Sequence, residues 1–245
     1  TTRSVPVTCG GSVNVQAVEP PRVTTRRDLV RASRALSHTG ILDAFGHVSA
    51  RDGGMVVLPP AVPPGRAERD DLLEMDVEGR IVRGDGRPHD EHALHRRIYA
   101  ARDDVGAVVH HHAPAVLPFV TAGADIRPVS RLGAPFEDPI PVFDDFDDAN
   151  GHLVTENAEA DRLAATLGDG LAVVLAGNGA VVVGETVREA TVFTWYMAAN
   201  AETQYRASHL GDPDPVGDEE SLAATAATLT NAIAVDRVWS YLTGG

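Results

Sequence analysis

Apolar positions along this chain recur with two periods, and the change from one to the other falls within a single stretch, residues 91–112. Leu94 and Ile98 sit one helical turn apart with Ala101 following, a stripe that leaves Glu91 and His95 together on another face. After the turn at Asp103-Asp104 a period of two takes over. Val108, His110 and His112 then share one strand face, and Ala107, Val109 and His111 share the other. The stretch reads as a helix handing over to a strand.

The same patterns predict the rest. Thr25 with Asp28 three residues on resembles a capped helix start, and Leu29, Ala32 and Leu36 continue on one face to Gly40. Gly46 to Arg51 is strand-like, with Met55 to Leu58 as its hairpin partner, and the prolines at 59, 60, 63 and 64 then force an irregular loop. Asp76 to Val82 reads as a second hairpin turning at Gly79. Residues 113–150 are rich in proline and aspartate, and the acidic run at 143–148 is expected as a solvated loop. Leu171 to Leu175 and Ala180 to Val183 are apolar runs flanking Gly177-Asn178-Gly179, a strong hairpin signal. Thr186 and Glu189 form a capping box for a helix to Ala207 that buries Ala190, Phe193, Met197 and Ala201. A final helix after Asp212 to Pro215 carries Leu222, Leu229, Ile233 and Trp239. Residues 1–22 read as a flexible arm and 23–245 as one domain.

Composition narrows the classes of function. With 245 residues, 43% of them hydrophobic, a sizeable core is possible. A net charge of -14 and a pI near 5.0 argue against a nucleic-acid or anionic-membrane surface. No apolar run is long enough to span a bilayer, and residues 1–21 lack the pattern of a signal peptide. Cys9 is the sole cysteine, so no intrachain disulfide forms and a cytoplasmic location is expected. All 21 basic residues are arginine. Without lysine there is no Schiff base and no pyridoxal-phosphate attachment, so carbanion chemistry here would need a metal instead.

The candidate chemistry lies in the stretch where the period changes. Imidazoles at i and i+2 of a strand, His110 and His112, can converge on one divalent ion, with the Glu91 carboxylate arriving from the preceding helix. The order Glu91-His92-Ala93-Leu94-His95 lacks the His-Glu-x-x-His arrangement of zinc peptidases.

Taken together, Gly-His-Val-Ser-Ala-Arg at 46–51, Glu91 with Leu94-His95 and Ile98-Tyr99, Val-Val-His-x-His at 108–112 and Gly-x-Gly-Ala-Val-Val-Val-Gly at 177–184 resemble the class II aldolase/adducin family over roughly residues 25–210. The resemblance implies an α/β fold, three-layer α/β/α with a central, largely antiparallel sheet. It implies a homotetramer with the active site at a subunit interface. It also implies a divalent metal, zinc first and manganese as the alternative, with His110 and His112 as ligands, Asn178 where the family usually places a third histidine, and Glu91 as acid/base. His47 would be a second catalytic group. Arg51 or Arg131 would hold a carboxylate, with Ser49 and His89 as further substrate contacts. The family's phosphate-anchoring segments read Gly46-His47, Pro59-Pro60 and His89-Asp90 here, and proline gives no amide donor while Asp90 repels a phosphate. The implied activity is therefore a metal-dependent lyase that decarboxylates a small, non-phosphorylated hydroxylated aromatic or heteroaromatic carboxylic acid. Retro-aldol cleavage or isomerisation of an unphosphorylated ketol is the alternative within enzymes, and a metal-free or catalytically silent assembly protein is the alternative outside them.

Overall fold

The computed structural model describes residues 21–244. The arm expected over residues 1–22 lies outside the described residues except for its last two, which belong to the first helix. Eight strands form one sheet: β1 (His47–Asp52), β2 (Met55–Leu58), β3 (Leu73–Met75), β4 (Ile81–Arg83), β5 (Ala107–His111), β6 (Val142–Phe143), β7 (Ala172–Leu175) and β8 (Gly179–Gly184). Their order is β4-β3-β2-β1-β5-β8-β7-β6, antiparallel throughout except for the β6–β7 pair. Among the described residues seven α-helices accompany them: α1 (Pro21–His38), α2 (His92–Ala101), α3 (Leu117–Ala122), α4 (Asn157–Leu167), α5 (Val187–Ser208), α6 (Glu219–Thr230) and α7 (Ala232–Thr243).

Strand alternation divides the apolar side chains between two faces. Val48, Ala50, Ala107, Val109, Ala180 and Val182 pack with Leu29 and Leu36 of α1, Phe193 and Met197 of α5, and Trp239 of α7. Val56, Val108, Val173, Val181 and Val183 pack on the other side with Leu94 and Ile98 of α2 and Leu163 and Leu167 of α4. The result is the expected three-layer α/β/α sandwich. In the central strands Val48 lies opposite Val109 and His47 opposite His110, and this register decides which side chains of β1 and β5 meet.

Several expectations need correction. The first helix is already running at Pro21, ahead of the expected cap at Thr25. The loop at 113–150 contains α3 and β6, whose Phe143 is buried; parallel pairing to β7 orders the start of the acidic run. The stretch 157–167, not singled out from the sequence, is α4, and its Ala160, Leu163, Ala164 and Leu167 are buried at helical spacing. The expected final helix is two. Asn231 ends α6 and caps α7, its side chain accepting from the Ala234 N–H. Ile233, carried by the expected final helix, lies just past the break and is 84% exposed. The capping box at Thr186 and the buried stripe of α5 are as expected.

A candidate metal centre at the end of the central strands

Register and helix pitch build the site together. His47 and Ser49 of β1 lie opposite His110 and Val108 of β5, so they share the face that α2 covers. Glu91 at the N-cap of α2 and His95 and Tyr99 within it are spaced four apart, about 6 Å of helix rise per step, and two residues of strand advance about 6.6 Å. A polar row on the helix therefore lies along a polar row on the strand, flanked by apolar neighbours.

At one end of this row three electron-rich atoms converge. His110 Nε2 lies 3.3 Å from Glu91 Oε2 and 3.1 Å from His112 Nε2. The other nitrogen of each ring is committed as a donor. His110 Nδ1 is 3.2 Å from the Ala180 carbonyl, which can only accept, and His112 Nδ1 is 3.1 Å from the Asp43 carboxylate. Burial pushes the Asp43 carboxyl up, but the N–H groups of Phe45 and Gly46 and the His112 ring outweigh it and hold it below the usual range. With both Nδ1 atoms protonated, the two Nε2 lone pairs face each other and that of His110 also faces the glutamate. Such a set needs a cation at its centre, either a proton or a metal ion. The separations are those of neighbouring ligands each about 2.0–2.2 Å from a shared ion, and imidazole with carboxylate is a donor set suited to zinc or manganese. The residues thus fit a divalent metal. The hydrogen bonds to Ala180 and Asp43 are the outer contacts that orient metal-binding histidines.

Glu91 is held on its other side as well. Its Oε1 accepts from the Val154 N–H at 3.1 Å and from Asn178 Nδ2 at 3.4 Å. Burial raises its pKa, but the His110 ring, the Val154 N–H and the His112 ring prevail and keep it lower than an ordinary glutamate. His110 moves the opposite way: burial lowers it, yet the neighbouring Glu91 raises it above a free imidazole. A ring nitrogen of His47 also lies within 4.8 Å of the Glu91 and His110 donor atoms. The His47 ring packs 4.4 Å from His89, centroid to centroid, and burial followed by its histidine neighbours keeps it neutral. His89 is pushed down to about 4 by burial and then by His110.

These groups open on a cavity of about 690 Å³ lined by His47, His89, Glu91, His112 and Asn178, with Phe45, Val62, Pro63, Pro88 and Leu153 as apolar walls and Arg87 and Asp90 paired within the lining.

Of the residues expected from sequence, Glu91, His110, His112, His47 and His89 come together. Asn178 lies at the same place, but its amide donates to Glu91 and to the His152 carbonyl, 2.7 Å away, instead of offering oxygen to an ion. Gly177, with φ +70°, and not Asn178, takes the left-handed position of the hairpin. Ser49 is wholly buried between His95 and Tyr99, away from the cavity. Arg51 lies four residues further along β1 than His47, about 13 Å of strand, where its guanidinium binds the carbonyls of Tyr99, Arg102 and Val105. Arg131 reaches Thr228 of α6. Neither arginine enters the cavity within this chain. Sequence reasoning missed Arg87, Asp43 and Val154, for which no periodic signal exists. It also missed that His95 and Tyr99, whose spacing of four from Glu91 was visible, bond to Ser49, expected instead as a substrate contact.

Comparison with known proteins agrees with this architecture. The family model for the class II aldolase and adducin N-terminal domain matches residues 27–205. A 5-methylthioribulose-1-phosphate/5-deoxyribulose-1-phosphate aldolase of Rhodospirillum rubrum is 29% identical over 203 residues, 81% of this chain and 88% of that protein. A 3,4-dihydroxyphthalate decarboxylase of Arthrobacter keyseri is 30% identical over 187 residues, 68% of this chain and 72% of that protein. Among solved structures, an aldolase II superfamily protein from Pseudomonas syringae superposes with a TM-score of 0.77 at 23% identity, covering 92% of this chain and 93% of that one.

Proposed function

This chain belongs to the class II aldolase and adducin family and is an enzyme of the lyase kind, and from that premise we propose that it decarboxylates a non-phosphorylated aromatic or heteroaromatic acid bearing a hydroxyl ortho to the carboxylate. The observation that carries this reading is the place of His110 Nε2, within 3.3 Å of both His112 Nε2 and the Glu91 carboxylate at the edge of the cavity. Two features of the lining support an unphosphorylated substrate: Pro63 lacks an amide donor, and the guanidinium of Arg87 is already paired with Asp90. The apolar walls suit a flat ring.

His110, His112 and Glu91 would hold the metal. When bound, a divalent ion supplies Lewis acidity, drawing off charge as a carbon–carbon bond parts. Glu91, kept anionic, takes the proton of the ring hydroxyl as substrate binds. Carbon dioxide leaves, and the bonding pair stays on the ring carbon. Glu91 then returns its proton to that carbon, regenerating the carboxylate, and the product oxygen is reprotonated from solvent. The Val154 N–H and Asn178 amide keep the carboxylate oriented through both transfers.

The assembly belongs to the same proposal. A homotetramer with the cavity at a subunit boundary is supported by Phe45, which lines the cavity yet is 74% exposed in the single chain. The proposed location is the cytosol. No helix among the described residues is long and apolar enough to cross a membrane.

The test is product analysis with protein loaded with zinc or manganese. Carbon dioxide from ortho-hydroxylated aromatic acids, lost on chelation and restored by metal, is the expected result. An aldehyde from an unphosphorylated ketol would replace this reading with retro-aldol cleavage. Absence of bound metal would favour an assembly role. Glu91→Gln, assayed at saturating zinc because the carboxylate is also one of the groups that would hold the metal, should lower turnover by about 10²–10⁴-fold.

A further inference from the structure

Behind His47 runs a chain of buried hydrogen bonds that the proposed reaction does not use. His47 Nδ1 lies 2.7 Å from His95 Nε2, His95 Nδ1 lies 2.6 Å from Ser49 Oγ, and Ser49 Oγ lies 2.8 Å from the Tyr99 hydroxyl. His47, His95, Ser49 and Tyr99 are all less than 5% exposed, so solvent does not complete their bonding. Each link has two possible directions, and the hydrogen at the closed end chooses between them.

That end is Tyr99. Burial pushes its phenol up, so it keeps its hydrogen. Among the described residues the one hydrogen-bond partner of the phenolic hydroxyl is Ser49 Oγ. A buried hydroxyl hydrogen without an acceptor is costly, so Tyr99 donates to Ser49. Ser49, with one hydrogen of its own, donates in turn to His95 Nδ1. His95 then carries its ring proton on Nε2 and donates it to His47 Nδ1. His47, being neutral, carries its proton on Nε2. The reverse direction would place a hydrogen on His47 Nδ1 and strand the Tyr99 hydroxyl.

We infer that Tyr99, Ser49 and His95 are positioning residues that lock His47 as the Nε2–H tautomer, making it a neutral hydrogen-bond donor to a substrate oxygen in the cavity and neither a base nor a metal ligand. The ring has no lone pair left, because Nδ1 spends its own on His95. Proximity alone would count His47 with Glu91 and His110 as a possible ligand, and the direction of the chain removes it from that set. A neutral imidazole acting as an electrophile suits a carboxylate or phenolate oxygen without adding charge to the site. The inference rests on the proposed use of this cavity as the reactive site, but the tautomer itself does not depend on which substrate is bound.

The test is ¹⁵N–¹H correlation spectroscopy of the full chain labelled at the histidine ring nitrogens, metal-free and then titrated with zinc, with signals assigned from His47→Gln and His95→Gln. The wild-type protein should show both His47 and His95 protonated on Nε2. Zinc should move the His110 and His112 signals to the metal-bound pattern while His47 keeps its Nε2–H. Tyr99→Phe removes the hydrogen that sets the direction, and His47 should lose its exclusive Nε2–H signal. Protonation of wild-type His47 on Nδ1, or zinc displacing its Nε2 proton, would overturn the inference. If zinc moves no histidine signal, the metal reading fails while the tautomer assignment, read from the metal-free spectrum, still stands.

Discussion

His111 offers a measurement in which the metal cancels. It points to the sheet face opposite His110, is wholly buried, and accepts the Ala113 N–H at Nδ1, so its ring hydrogen sits on Nε2, an atom with no partner. Burial first, and then His110 and His112, push its pKa from 6.5 down to about 3. A base depressed on folding binds its proton more readily in the unfolded chain. The resulting stability is present above pH 6.5 and is lost progressively as the pH falls toward 3. At pH 5 the unfolded chain has gained roughly 1.5 units of protonation free energy at this residue, and at about 1.4 kcal/mol per unit this amounts to about 2 kcal/mol relative to pH 7. His111→Leu abolishes that dependence. It also costs the Ala113 N–H its acceptor, a penalty of about 1–3 kcal/mol that is the same at both pH values. Urea unfolding of both chelator-treated proteins at pH 7 and pH 5 gives a double difference. The wild type should lose about 2 kcal/mol more than the variant on acidification. Parallel losses, within about 0.5 kcal/mol, would show that His111 is not held neutral in the fold and would refute the argument.

Three further outcomes follow from the geometry. Asn178→His places a third imidazole beside Glu91, and zinc affinity, measured by chelator competition, should rise by about tenfold or more. Gly179→Ala would bring a Cβ to 2.2 Å from the His111 carbonyl; β8 must then move off β5, lowering stability by about 1–3 kcal/mol in thermal unfolding and reducing the metal content. Arg51→Ala removes a guanidinium that holds three carbonyls and stacks on Tyr99. It should cost about 1–3 kcal/mol of stability while KM for the carboxylate substrate stays unchanged, and a raised KM would return Arg51 to the substrate.

The sequence made legible what is local and periodic. The i, i+2 histidines, the preceding helix with Glu91, the β7–β8 hairpin and the α5 capping box each lie within a few residues of their own signal. β6 is two residues long, and only its neighbour β7 makes it a strand; no periodicity exists over so short a run. Arg51 shows why residue type is a poor guide to a binding site. It occupies the same strand face as His47 by alternation, yet distance along β1 carries it out of the cavity to the carbonyls at the end of α2. Ser49 has the right position in a recognisable motif, but the chemistry of its neighbours His95 and Tyr99, known only once α2 is packed on β1, turns it inward. Asn178 keeps its place at the hairpin tip, and the direction of its amide is set by Glu91 and His152 across the cavity.

The matched pitch of α2 and β1 also makes this part of the chain intolerant of changes in length. One residue added between Glu91 and Tyr99 would rotate everything beyond it by about 100° around the helix axis. The phenol or the imidazole would then leave Ser49 and be turned away from the polar row. The hairpin tip at residue 178 meets no such constraint, because its side chain can be exchanged without shifting any frame of pairing. Descendants of this scaffold can therefore be expected to diversify by replacing residues at the rim, while the spacing of the row beneath it stays fixed.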